Sequence, residues 1–274
     1  MSSLAHHLYQ AGAAAERDKT ATYLMLAAQQ ARAAAAHEEA LAHLENALAV
    51  CEEETGIRVA ELTEQRAEAL HGIGRSDEAE DNYRKAIELF EKEGAVAKAV
   101  GASLALTMIQ MWRMELAAGK RSTEWALERL GSAEPYLQMN LLSMRAVMMS
   151  LSGDAANAAG LLAQARALRT GTEDRRLTVA CDHIEAFSRL QLTQLEQAVT
   201  GARRAAETYH AMGALWAAAD AEWAVGWDIF LGRTAEAAEY LPGAFKRADR
   251  VGHRFAVWMA KWLSAELYEC RMAG

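Results

Sequence analysis

Proline is nearly absent: Pro135 and Pro242 are the 2 in 274 residues, and strand-type runs of Val, Ile and Thr are missing. Proline interrupts helices and sheets alike, and alanine, which is abundant here, is the strongest helix former. An all-α fold follows. Aromatic residues make up 7% of the chain against an apolar share of 52%, so any core must rest mainly on small and aliphatic side chains. The 3 cysteines, Cys51, Cys181 and Cys270, are odd in number and far apart, with no CxxC. That excludes a disulfide framework or a zinc knuckle; with a polar, alanine-rich N-terminus, buried thiols in a reducing cytoplasm are expected. No stretch approaches ~18 apolar residues free of charge, so no membrane span is expected. Net charge is -8, and the basic clusters Arg203-Arg204 and Lys246-Arg247-Arg250 are short with acidic neighbours. Direct nucleic-acid binding lacks the basic stripe it would need.

What the chain does contain is a repeat. GRSDEAEDNYRKAIELF from Gly74, GDAANAAGLLAQARAL from Gly153, LTQLEQAVTGARRAAETY from Leu192 and GRTAEAAEYLPGAFKRA from Gly232 align, and AHEEALAHLENALAV from Ala36 joins them. The key alanines are Ala40, Ala79, Ala158, Ala198 and Ala237, spaced 39, 79, 40 and 39 residues apart. The long step spans two units, placing a degenerate copy near residues 118–130, at GKRSTEWALERL. Small or apolar residues follow each key alanine at +4 and +7, which puts all three on one helical face. Another helical stretch precedes each turn, so each unit reads as a helical hairpin. No single hairpin can bury its apolar face, and stacking neighbours completes the core.

The pattern resembles the tetratricopeptide repeat. That family's three small positions are matched by Ala28, Ala40 and Ala47; by Ala67, Ala79 and Ala86; by Ala146, Ala158 and Ala165; by Ala186, Ala198 and Ala205; and by Val225, Ala237 and Ala244. The departures are the family's missing tryptophan, glycine, tyrosine and closing proline, and units of about 39 residues in place of about 34. The resemblance implies a right-handed α-solenoid of about six hairpins in a single domain, 1–274. Residues 1–19 would form a lead-in helix, 20–252 the repeats and 253–274 a closing helix.

A second resemblance covers residues 4–50, LAHHLYQAG through EEALAHLENALAV. It is similar to the start of the helical tail that follows the nucleotide-binding module in large bacterial signalling ATPases and transcription activators. No GxxxxGK[ST] is present, so the chain would be the sensor or scaffold half and not the ATPase itself.

Residues that invite a chemical reading mostly carry structural ones. His6 and His7 diverge on a helix by about 100°, and His37 and His43 miss the zinc-binding HExxH spacing. His71, His183, His210 and His253 are scattered one per hairpin. Neither a catalytic set nor a metal or cofactor site is expected. The Gly72–Arg75 GIGR reads as an interhelical turn, with Asp77 helping to start the next helix. Trp216, Trp223 and Trp227 on one helix, and Trp258 and Trp262 near the end, read as core, with an aromatic docking surface as the alternative. Met108, Met111 and Met114, and Met139, Met144, Met148 and Met149, read as core filling, with an adaptable hydrophobic groove as the alternative.

In tetratricopeptide folds the first helix of each hairpin lines the concave face. Carrying over the family's offsets gives a partner-binding groove that includes Gln29, Arg32, Glu61, Glu64, Glu68, His71, Asn140, Ser143, His183 and Phe187, to which the methionine-rich middle adds Met111, with an acidic entry side suited to a partly basic peptide. The expected function is non-enzymatic recognition of a protein or peptide segment, with an ATPase domain as one partner, in bacterial signalling or transcription control. Alternatives are a free-standing regulator that binds a short peptide or small ligand in the groove, as some helical-repeat quorum sensors do, or a homo-oligomerisation module.

Overall fold

The structure is a computed structural model that describes residues 7, 9–10, 16–34, 36–51, 56–131, 134–169, 175–191 and 194–272. Among these residues there are thirteen α-helices and no strand: α1 (Arg17–Ala33), α2 (His37–Val50), α3 (Ile57–Gly72), α4 (Ser76–Lys92), α5 (Val96–Trp112), α6 (Leu116–Leu130), α7 (Pro135–Leu151), α8 (Ala155–Arg169), α9 (Arg175–Gln191), α10 (Leu195–Ala211), α11 (Leu215–Gly232), α12 (Thr234–Arg250) and α13 (Arg254–Met272). The all-α expectation holds, and the closing helix is α13. Most of the expected lead-in helix, including Leu4, Leu8 and Ala11, lies outside the described residues, as do Glu52 to Glu54, Glu173 and Asp174.

The chain divides into two compact units, Met1–Ala118 with Glu128–Leu130, and Gly119–Leu127 with Gly131–Gly274. In the first, α1 packs on α2, α2 on α3, α3 on α4 and α4 on α5. In the second, α7 pairs with α8, α9 with α10 and α11 with α12. There the first helices of successive hairpins also touch, α7 with α9 and α11 with α13.

The small residues explain why these helices come so close. All fifteen residues at the three small positions of the five legible repeats are buried, none more than 4% exposed. Alanine at a crossing lets two backbones approach without leaving a void, and a larger side chain there would hold them apart. In the degenerate third repeat Thr107, Gly119 and Ala126 stand at the corresponding sequence positions, each of them buried. Gly119 is required by its neighbour: a Cβ there would lie 2.9 Å from Sδ of Met148. A methionine has grown into the space that alanine fills elsewhere, which is why the repeat is hard to see in the sequence.

The turns follow the same period. Gly74, Gly94, Gly153, Gly213 and Gly252 end helices in the left-handed region, where glycine has no steric penalty. At the turn after α5, Met114 takes that conformation instead, with φ 58°. Asp77 does not cap α4: the residue before that helix, Arg75, supplies no side-chain cap, and the Asp77 carboxylate pairs with Arg113, 36 residues away. Further contacts at nearly the repeat spacing tie consecutive hairpins. Arg129 Nε donates to Glu91 Oε1 at 2.6 Å, and the hydroxyls of Ser150 and Ser188 lie 3.1 Å apart, each pair separated by 38 residues.

Candidate functional site

In the N-terminal unit, three first helices present charged side chains to one another. Arg32 on α1 pairs with Glu68 on α3, and Lys98 on α5 pairs with Glu61 on α3. Glu64 stands one turn from each of those carboxylates, and among the described residues no basic side chain forms an ion pair with it. Burial, then the neighbouring charges of Glu68 and Glu61, raise its pKa to about 7, against the weaker pull of Lys98 and Arg32. Burial also raises Glu68, with Arg32 opposing. Tyr83 of α4 is buried behind this row. Its phenol is raised by burial and then by the charges of Glu68 and Glu64, and no side chain among the described residues forms a hydrogen bond with its hydroxyl. The arrangement is a carboxylate row with more negative charge than its two cations neutralise.

Of the residues expected to line a groove, Arg32, Glu64 and Glu68 therefore come together, with Gln29 and His71 exposed on the same two helices. Glu61, placed on this face by the same offsets, completes the row with Lys98 and Tyr83, which the offsets do not give. The other expected residues are placed differently. Met111, Asn140 and Ser143 are buried and offer a partner little surface. Asn140 Nδ2 donates to the Tyr136 carbonyl one turn back at 3.1 Å, and Ser143 Oγ lies 3.7 Å from Cys181 Sγ.

His183 and Phe187 belong to the C-terminal unit, where they are half-buried among aromatic rings. His183 meets Tyr209 edge-on at 6.2 Å, and Phe187 meets Trp223 at 6.2 Å. Asp220 sits between two histidines, 3.9 Å from His183 Nε2 and 3.3 Å from His253 Nε2, and it accepts from the Trp223 indole at 3.0 Å. Burial pushes the Asp220 carboxyl up, but the two imidazoles and the indole N–H outweigh it and hold the carboxyl below its usual range. Burial lowers His183, with Asp220 opposing and His253 reinforcing. His253 Nδ1 accepts the backbone N–H of Ala256 at 3.1 Å, so the proton of this ring is on Nε2. That N–H faces the Asp220 carboxylate, with Oδ1 3.3 Å from Nε2. Trp216 stacks on the same ring at 3.9 Å. His253 thus caps α13 and ties it to α11, a structural task for a histidine that sequence spacing leaves unassigned.

A cavity of about 450 Å³ lies between α9 and α10. Its charges are already paired: Arg204 grips Asp182 through two hydrogen bonds of 2.9 and 2.8 Å, and Arg189 Nε donates to Glu185 at 2.8 Å. Among the described residues no cluster of three or more His, Cys, Asp or Glu is placed to hold a metal ion, and no helix is long and apolar enough to cross a membrane.

No family model matches the chain, and no curated relative does. Among solved structures, a Rap protein complexed with Competence and Sporulation Factor is similar over 91% of this chain and 75% of that one, at 13% identity and a TM-score of 0.61. The apo form of RapI matches over 92% of this chain and 73% of that one at 14% identity, with a TM-score of 0.47. The TPR2AB domain of yeast Sti1 in its pHSP90 complex matches over 92% and 99% at 17% identity, with a TM-score of 0.36. The last two are too remote to argue from, and at 13% identity the first speaks to fold alone. With the register of small residues, it makes this chain a tetratricopeptide-like helical-repeat protein in fold.

Proposed function

We propose that the chain is a recognition scaffold that binds an extended segment of protein or peptide carrying Lys or Arg along the first-helix face of its N-terminal unit. One observation carries this reading: Glu64 is a half-buried carboxylate between Glu61 and Glu68, and the nearby cations, Lys98 and Arg32, pair with those neighbours and only weakly offset its burial. A ligand ammonium or guanidinium would supply the missing charge, and the Tyr83 hydroxyl a neutral hydrogen-bonding group beside it. Extended peptides suit such a face because successive hairpins present their first helices at regular intervals. A Rap protein of related fold has been crystallised with Competence and Sporulation Factor, which supports a ligand-binding role for this kind of repeat.

The N-terminal resemblance adds a finer reading, in which the scaffold is the cytoplasmic sensor half of a bacterial signalling or transcription-regulating ATPase system. In that reading, ligand capture biases an ATPase domain of the same or another chain, and no catalytic step is assigned to these residues. Titrating the chain with short unstructured peptides that differ only in Lys, Gln or Glu content tests the recognition reading. The Lys peptides should bind, and Glu64→Gln with Glu68→Gln should weaken them; binding indifferent to peptide charge would refute it. For the ATPase reading, nucleotide turnover by the partner should change on adding the chain.

A further inference from the structure

The closing helix α13 has two unlike faces. Ala256, Met259, Ala260, Leu263 and Leu267 are buried against the rest of its unit. On the opposite side Trp258, Lys261, Trp262, Ala265, Tyr268 and Glu269 form a continuous exposed stripe, with Trp258 58%, Trp262 36% and Tyr268 67% exposed. Large rings in one helical row are an unusual thing to leave in water. They are also held in place: Trp262 stacks on Trp227 at 5.1 Å and 23°, and Trp258 is parallel to Trp262 within 10° at 6.5 Å. Rings already fixed lose little freedom when a surface covers them.

The order of residues along the stripe says what covers it. Ala265 is at the middle of the exposed face, flanked by Lys261 four residues before and Glu269 four after, and by Trp262 three before and Tyr268 three after. If a second copy of α13 is laid antiparallel with a two-fold axis at Ala265, Lys261 of each copy comes level with Glu269 of the other. Trp262 likewise comes level with Tyr268, and the two alanines meet at the axis, where their size allows the helices to approach closely. Laid parallel, the same stripe would set lysine against lysine and glutamate against glutamate. In the single chain the Lys261 ammonium rests 5.6 Å from the centre of the Phe245 ring, at the border of this face and exposed.

We propose that the α13 stripe is a self-complementary interface through which two copies of this chain form an antiparallel, two-fold dimer. The test is sedimentation equilibrium of the full chain from about 1 to about 100 μM, the range in which an interface of modest size is expected to form. The mass should rise from one chain to two. Ala265→Arg, at an exposed helical position that leaves the fold intact by circular dichroism, should hold it at one. Lys261→Glu and Glu269→Lys should each weaken association by about tenfold, and the double variant should restore it, because the reversed charges again meet. A single-chain mass at every concentration overturns the proposal. So does a dimer that survives Ala265→Arg, or a double reversal no stronger than either single one.

Discussion

Arg32 on α1 closes on Glu68 of α3, while Glu64, one turn earlier on the same helix, forms no ion pair with any basic side chain among the described residues. Two carboxylates on one helical face, both raised by burial, thus differ in pairing, since Arg32 closes on Glu68 and acts on Glu64 only from a distance. The consequence is a pH dependence with a definite sign. Glu64 has a folded pKa of about 7 against 4.5 in a free chain, so the folded state holds the extra proton between those values. Stability therefore falls as pH rises through that window, and the loss is complete above about 7. Glu64→Gln should match the parent near pH 5 and exceed it near pH 8 by about 1 kcal/mol, after allowance for the exposed part of the side chain. Chemical denaturation at the two pH values measures this; a difference independent of pH would contradict it.

Met114 offers a stabilising substitution. It holds φ 58° in a turn where Gly74 and Gly153 stand at the corresponding positions of the second and fourth repeats, and its side chain is largely exposed. Left-handed backbone costs a residue with a Cβ about 1 to 2 kcal/mol, so Met114→Gly should raise stability by roughly 0.5 to 1 kcal/mol once the greater freedom of unfolded glycine is subtracted. A lower denaturation midpoint would count against this account of the turn.

Gly226 should tolerate nothing larger. A Cβ there would lie 2.6 Å from Leu241 Cδ2 and 3.9 Å from Leu263 Cδ1, and both leucines are fully buried. Gly226→Ala gains about 1 kcal/mol of helix propensity, and the overpacking outweighs it, for a net destabilisation of about 1 to 2 kcal/mol. A stabilised variant in urea denaturation would show that α11 and α12 can move apart at this point.

The tryptophans divide into two classes that calorimetry can separate. Trp223 is buried, packed edge-on against Phe187 and Phe255, with its indole N–H on Asp220. Trp223→Ala should cost about 3 to 5 kcal/mol, the usual range for a buried large aromatic. Trp258→Ala, at an exposed position, should change the stability of the single chain by less than about 1 kcal/mol. Equal losses would mean that the surface ring is part of the core.

The sequence made the crossings legible because alanine recurs where only a small residue fits, and a period near 39 then exposes five of the six repeats. The third is placed, at 118–130, only by the length of the gap, because Thr107, Gly119 and Ala126 stand where the other repeats carry alanine in all but one case, with Gly119 kept small by Met148. The carboxylate row was half legible. Offsets along α3 locate Glu64 and Glu68, but Lys98 is 37 residues from Glu61, a distance with no local signature. Tyr83 reads as core from its spacing, and its ring is core; the influence of Glu68 and Glu64 on its phenol is visible only in three dimensions. Asn140 and Ser143 look like polar groove residues, yet both are buried in α7, Asn140 against the Tyr136 carbonyl one turn back and Ser143 against Cys181 of α9. The tie from His253 to Asp220 is invisible in sequence, since Asp220 belongs to another helix.

The central claim is that Glu64 awaits a cation. Isothermal titration of a Lys-containing extended peptide, repeated between about pH 6 and pH 8 in buffers of different ionisation enthalpy, tests it most directly. Because a bound cation favours the ionised carboxylate, binding should release a proton near pH 6, and affinity should rise with pH through about 7 before levelling off. Both effects should vanish in Glu64→Gln. Binding without proton release, at an affinity unchanged across that range and in the variant, would contradict the account.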